Sequence, residues 1–398
     1  MMHKVLAALA VLAVSCFGSP VFAAHEKEDV DKPVVFGNIE IYGAAKLSVD
    51  IIDTDSKTTG ADSGLTKVSS NSSRLGFKGS EDLGEGLSAV YQLELGVNMD
   101  GTTQKTAESV TSATTNTTTG VTTVKTKDAN VNTIGLRNSY IGLKGESWGT
   151  VLFGTHDTPY KTATGQFDPF ADSMGDYNAV IGTVNAAANF ELRPKDVIAY
   201  VSPSWGGIQL SAGASQTGQE SDNGIAGNAS LYSASAVYKA GPLAVALAYE
   251  THKNGVTDGD KAGKGKNEGT RLGAGYTIGG TKIGLVYEIL RDSTADSALT
   301  RDAVYVAVSQ KIGKETIKLA YGSADDGDDP ATKTGATLMA IGVDHSFSKR
   351  TTAYVLYAAT TNEKDATYGI GTGGAGGAFK PGNGEDPTVV SFGINHSF

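Results

Sequence analysis

Cysteine is nearly absent. Cys16 is the only one in 398 residues, and it sits inside an apolar N-terminal stretch. Cleavage of that stretch would leave no thiol and no disulfide, so stability rests on hydrogen bonding and burial. A lipid anchor at Cys16 is disfavoured, because Ala13 is a poor residue at the start of the recognition box that such anchoring needs. Proline is scarce at 10 residues, which leaves little room for rigid linkers. No run beyond the N-terminus reaches the roughly eighteen apolar residues of a membrane-spanning helix. Excess positive charge is missing too: 33 basic residues face 43 acidic ones, net −10, which argues against a nucleic-acid partner. The six histidines, at 3, 25, 156, 252, 345 and 396, show no metal-ligand spacing. "GKGK" at 263–266 lacks the phosphate-loop pattern, and no serine elbow occurs. "ADDGDDP" at 324–330 is acidic enough for calcium but has no glutamate at the required offset, so an acidic loop tip is the better reading. No catalytic residue, metal or cofactor is expected.

The N-terminus carries Lys4, an apolar core from Val5 to Phe17 and the small-residue site Val21-Phe22-Ala23. Residues 1–23 thus read as a secretory signal, cleaved after Ala23. Only Lys4 leaves with them, so 32 basic residues remain against 43 acidic, net −11. Residues 24–33 form a short acidic leader, and 34–398 form the folded domain.

Alternation of period two runs through that domain. In "PLAVALAYE" Leu243, Val245, Leu247 and Tyr249 share one face; in "KIGLVYEIL" Ile283, Leu285, Tyr287 and Ile289 do. Opposite faces carry Ala244, Ala246, Glu250, Arg271, Gly284, Glu288 and Lys318. Such patterning means strands, yet a soluble sandwich alternates as well. The connections decide. Seven are short: "GSEDLGEG", "GESWG", "SPSWGG", "KAGPL", "TIGGTK", "KIGKET" and "SKRT". Between them lie eight long polar ones, at 53–67, 99–132, 155–195, 216–229, 251–269, 291–300, 323–335 and 361–386. Strict alternation of short and long connections predicts an all-β fold. The architecture expected is a sixteen-stranded antiparallel transmembrane β-barrel, with short periplasmic turns and long extracellular loops. Thr-rich and Gly-rich stretches in the second, fifth and eighth loops are expected as solvated, mobile surface. A closed barrel also explains the last residues. "GINHSF" ends the chain and "GVDHSF" repeats it at 342–347, so Phe347 and Phe398 share a strand position, on the lipid face at the short-turn interface.

Four stretches, "SSRLGFKGSEDLGEGLSAVYQLELG", "SYIGLKGESWGTVLFGTHDTPY", "DVIAYVSPSWGGIQLSAGAS" and the terminal "INHSF", resemble the trimeric general porins of Gram-negative outer membranes, neisserial type. The resemblance runs along essentially the whole mature chain. It implies a homotrimer in the cell outer membrane and a third loop, here 155–195, folded inward to narrow each pore. Acids on that loop, Asp168, Asp172 and Asp176, would face basic residues of the wall: Arg74 and Arg137, with Lys46 and Arg193 as weaker matches. Phe398 would belong to the signal read by the outer-membrane assembly machinery. The other implied partners are outer-membrane lipid and lipopolysaccharide, and the small hydrophilic solutes and ions that pass.

Opposed charges across a narrow waist set up a transverse field in partly ordered water, which admits polar solutes and disfavours apolar ones. The competing reading of the three acids is a solvated loop face; that of Arg74 is a bridge between neighbouring strands. The function expected is a general diffusion porin. An adhesin or surface receptor working through loops 2 and 8 is the alternative, and an outer-membrane hydrolase a third.

Overall fold

The computed structural model describes residues 34–36, 38–57, 64–101, 110–115, 122–127, 134–184, 188–216, 230–253, 266–292, 300–328, 331–371, 376 and 378–398. The signal segment, Cys16 and the acidic leader lie outside them. The wall begins with β1 (Ile39–Asp53), β2 (Gly64–Ser70 continued by Arg74–Gly84), β3 (Leu87–Val97) and β4 (Ile134–Gly145). Next come β5 (Gly149–Thr155), β6 (Val197–Val201), β7 (Ile208–Gln216) and β8 (Ser230–Ala240). β9 (Leu243–Lys253), β10 (Lys266–Ile278), β11 (Thr281–Asp292) and β12 (Arg301–Ile312) follow. The last four are β13 (Glu315–Ala324), β14 (Ala336–Ser346), β15 (Thr351–Asn362) and β16 (Thr388–Ser397). Each pairs antiparallel with the next, and β16 returns to β1 from Thr388↔Asp53 to Ser397↔Ala44. The barrel of sixteen strands is closed, so no edge is left for another chain to pair with. Val34–Phe36 folds back on the first residues of β1 and adds no strand to the circuit.

Side chains alternate as the sequence requires. On β9, Leu247 and Tyr249 are 53% and 40% exposed, while Ala246 and Ala248 beside them are at 0% and 1%. Apolar residues therefore face out toward lipid, and the small or charged face lies in the lumen, covered there by loops. All seven short connections occur where expected. Glu85, between Gly84 and Gly86, keeps three successive residues at positive φ (87°, 53° and 75°), and this closes the β2–β3 turn tightly.

Two features were not expected. The Thr-rich second loop, read from sequence only as solvated surface, contains a two-stranded hairpin, Val110–Thr115 with Thr122–Lys127. β-branched content gives these residues extended backbone preference. β2 is interrupted at residues 71–73. The Ser73 hydroxyl fills the gap by accepting from the Lys46 backbone N–H (2.9 Å) and donating to the Lys46 carbonyl (3.0 Å).

Candidate functional site

The third loop leaves β5 through helix α1 (Pro159–Thr164), which Thr158 caps by accepting from the Lys161 N–H at 3.3 Å. Pro159 fits the first helical position, where no N–H is needed. The loop then crosses the inner wall from β7 to β14. Wall glycines make room: a Cβ on Gly273 would run into the Phe167 ring, and one on Gly284 into the Phe167 carbonyl. Buried charge holds the loop down. Arg271 and Glu288 are direct cross-strand partners on β10 and β11, both fully buried. Glu288 accepts from Arg271 Nε (2.9 Å), Arg301 Nη2 (3.0 Å), the Tyr160 hydroxyl (2.9 Å) and the Gly182 N–H (2.7 Å). The last two donors belong to the loop, so one wall carboxylate clamps both of its limbs.

The three loop acids divide in role. Asp168 accepts from the Tyr305 hydroxyl (2.6 Å) and from the N–H groups of Phe170 (2.8 Å) and Tyr177 (3.1 Å). Asp176 accepts from the N–H groups of Asn178 and Asp172, both at 2.9 Å. Both are buried rather than aimed at the lumen, which corrects the expectation for these two: their carboxylates are consumed by the loop's own turns. Burial raises both above the ordinary carboxyl value, Asp176 well above it, where the nearby Asp168 charge adds to the effect. Asp172 is the acid presented. Its φ of 57° turns the backbone left-handed at the loop tip, a conformation Asp tolerates and Asp176 secures. From there its carboxylate meets Lys46 Nζ of β1 at 2.9 Å.

The wall bases also differ from expectation. Lys46, the weaker match, makes the loop contact. Arg137 does not meet the loop acids; it pairs with Glu94 of β3 at 2.6 Å, and Glu94 also accepts from the Tyr42 hydroxyl at 2.9 Å. The cause is a register shift between β3 and β4, where Arg137 and Asn138 oppose Glu94 and are re-aimed. Arg193 is not a wall residue. It stands on the returning limb of loop 3 and binds Asp157 (3.0 Å) and Asn138 Oδ1 (2.9 Å). Burial pushes Asp157 up, but Lys161 and Arg193 outweigh it and hold its carboxyl below the ordinary value. Arg74 makes no side-chain ion pair or hydrogen bond among the described residues. On this side of the waist five bases (Lys46, Arg74, Arg137, Lys161, Arg193) face three carboxylates (Glu94, Asp157, Asp172), so the lining carries surplus positive charge.

The eighth loop, expected as solvated surface, also folds into the barrel. Ala366, Tyr368 and Ile370 are at most 2% exposed and share one apolar cluster with Ile52, Ala358 and Val389 on the inner wall. Thr360 Oγ1 donates to the Gly369 carbonyl (3.0 Å), and Asn362 Nδ2 donates to the carbonyls of Tyr368 (3.0 Å) and Glu385 (2.7 Å). Gly376 N–H reaches Asn71 Oδ1 at 3.1 Å, in the interruption of β2 beside Lys46. Loop 3 thus covers β7–β14 and loop 8 covers β15, β16 and β1, while on the basic wall from β2 to β4 the two loops, among the described residues, hydrogen-bond at Asn71 (Gly376) and Asn138 (Asp157 and Arg193).

Sequence reasoning missed Glu288, Arg301, Tyr305 and loop 8. Their inward parity was readable for Glu288, whose charge on a wall otherwise rich in glycine and alanine was a signal for an anchor. In loop 8 the spacing of Ala366, Tyr368 and Ile370 at every second residue was the signal for a shared apolar face, and the glycine-rich composition after it masked that signal.

Comparison with known proteins gives consistent results. The family model described as Gram-negative porin matches residues 7–365. An outer membrane porin protein of Bordetella pertussis is 28% identical over 272 residues, and the match spans 63% of each chain. Outer membrane porin protein 32 of Delftia acidovorans is 26% identical over the full length of both. The major outer membrane protein P.IA of Neisseria meningitidis is 28% identical over 331 residues, 73% of this chain and 77% of that one. Among solved structures, an anion-selective porin from Comamonas acidovorans superposes with a TM-score of 0.71 at 22% identity, over 90% of this chain and 99% of the other. An outer membrane protein of Vibrio cholerae in its trimer form gives 0.59 at 16% identity, over 90% and 99%.

Proposed function

We propose a reading that starts from one premise: this chain belongs to the Gram-negative porin family. It is an outer-membrane porin, a water-filled channel for passive passage of ions and small hydrophilic solutes, working as a homotrimer. The members of this family are channels. We further read the pore as anion-preferring. The observation that carries this is the charge balance at the waist. Of the three acids at the loop tip, Asp172 reaches the lumen and is neutralised by Lys46, the other two are buried, Asp157 is shared by Lys161 and Arg193, and Arg74 on the basic wall has no ion-pair partner among the described residues. Fixed positive charge in a narrow, low-dielectric passage concentrates anions and repels cations. Assembly recognition of Phe398 and association with lipopolysaccharide belong to the same reading.

The test is a planar-bilayer recording of the purified protein across a potassium chloride gradient. Stepwise conductance in groups of three with an anion-directed reversal potential supports the reading. Silent membranes would sink the channel, and a cation-directed potential would sink the selectivity. The receptor alternative loses one of its two arms, because loop 8 is folded inward.

A further inference from the structure

Beside the waist, the ladder between β1 and β2 is broken. Its register runs from Asp53↔Gly64 to Leu47↔Ser70 and resumes at Ala44↔Arg74. It skips Ala45 and Lys46 on β1, and residues 71–73 form the insert opposite them. The insert holds Lys46 in place of the ladder. The Lys46 carbonyl accepts from the Asn71 N–H (2.9 Å) and from the Ser73 hydroxyl (3.0 Å), and the Lys46 N–H donates to Ser73 Oγ (2.9 Å). Both backbone groups are thus satisfied without a paired strand. Ser72, inside the insert, has a φ of 56°, a left-handed backbone that serine keeps only where its surroundings impose it.

Asn71 anchors this insert. It is fully buried, and both its amide N–H groups and its amide oxygen are engaged. Nδ2 donates to Ser48 Oγ of β1 (2.8 Å) and to the Tyr354 hydroxyl of β15 (3.3 Å). Oδ1 accepts from the Gly376 N–H of loop 8 (3.1 Å). The loop side of this contact is equally specific. A Cβ on Gly376 would stand 2.8 Å from the Ser70 nitrogen and closer still to the Ser70 carbonyl oxygen, so only glycine brings loop 8 this near. One residue therefore touches the docked loop through its side chain. Through its own N–H it holds the backbone of the lysine that meets Asp172.

A lysine ammonium is a point charge on a flexible stem, so its position follows how the backbone beneath it is held. We propose that Asn71 is a positioning residue for ion selectivity, coupling the docking of loop 8 to the placement of Lys46 at the waist. With loop 8 seated, the insert is fixed and Lys46 covers Asp172. With the Gly376 contact withdrawn, Asn71 loses a partner, the insert relaxes, and the Asp172 charge is uncovered toward the lumen. Loop 8 then sets which ions pass as well as how wide the path is. The proposal rests on the charge balance at the waist and on its reading as anion-preferring.

Zero-current potentials of the purified trimer in one potassium chloride gradient test it, with Asn71→Ala and Gly376→Val as variants. Neither substitution adds or removes a charge. A loss of stability alone therefore leaves the potential of the open channels where it was. Each variant should shift the potential toward cations, by less than Lys46→Ser does. In a Lys46→Ser background neither should add a further shift, because the effect runs through that lysine. Gly376→Val carries the test if Asn71→Ala fails to assemble, since it leaves the wall untouched. Wild-type potentials in the assembled variants overturn the coupling. So do shifts that persist in full in the Lys46→Ser background, which would place the effect on another charge. A cation-preferring wild type would strike the anion reading alone, because the differences between variants still decide the coupling.

Discussion

Phe398 and Gly43 close the barrel against each other. Each donates its N–H to the other's carbonyl, at 3.0 and 3.1 Å, and the Phe398 ring lies where a Cβ on Gly43 would stand. The terminal residue thus completes the seam between β16 and β1 and covers the one outward position of β1 that has no side chain. Phe347, in the same position on β14, packs edge-on against His345 at 4.6 Å but seals no seam.

Deleting Phe398 should sharply lower the amount of trimer in cells, whereas Phe347→Ala should lower it only mildly. By area alone each loss is on the order of 1.5–3 kcal/mol, which a barrel of this size tolerates. Chain lacking Phe398 should still refold in detergent. Quantifying heat-modifiable trimer in isolated membranes checks this, and equal abundance of the two variants would reduce Phe398 to a girdle aromatic.

Glu288→Gln should free loop 3. Removing the carboxylate leaves Arg271 and Arg301 buried with one shared counter-charge gone, a change on the order of 3–5 kcal/mol for a buried pair. Glu191, which pairs with Arg271 at 2.7 Å, compensates only in part. Single-channel recordings should show larger, noisier conductance with the trimer intact on gels. A quiet channel of wild-type size would show that the clamp is dispensable.

Replacing residues 366–382 with a short Gly-Ser link should raise conductance without loss of the barrel. Tyr368 and Ile370 bury apolar area against loops and wall, but the sixteen-strand ladder does not depend on them. The uptake rate of larger neutral sugars into liposomes should rise more than that of small ones. No change in either would mean that loop 8 does not narrow the path.

Ion preference should weaken as pH rises. Asp168 and Asp176 have folded values above the ordinary 3.8, so the stability they contribute is fully present below that value and is lost as pH climbs through the raised ones. Ionisation adds negative charge beside the waist over the same window. Asp157 runs the other way: its lowered value gives stability that is present above 3.8 and lost as pH falls through it. Reversal potentials measured between about pH 4 and about pH 8 should drift away from anions in wild type and drift less in Asp176→Asn. Parallel curves for the two proteins would contradict the assignment.

The barrel was legible because its signals are local. Period-two alternation and the sorting of connections by length need no knowledge of contacts, and both held from Ile39 to Ser397. The third loop's inward course came from likeness to a family. Which acid faces the lumen was not legible, because Asp168, Asp172 and Asp176 are alike in sequence and differ only in where turn geometry points them. Arg137 was expected to face the loop acids, and the register shift beside Glu94 gives it a wall partner instead. Loop 8 was misread for a related reason: three apolar side chains suffice to dock a glycine-rich segment once a wall lies opposite, and composition does not reveal the wall.

The most direct test of the charge balance at the waist is the zero-current potential of wild type, Arg74→Ser and Lys46→Ser in one potassium chloride gradient at neutral pH. The account predicts anion preference in wild type, a clear shift toward cations in Arg74→Ser, and a larger one in Lys46→Ser, which also uncovers Asp172. Three identical potentials, or a cation-preferring wild type, would contradict it.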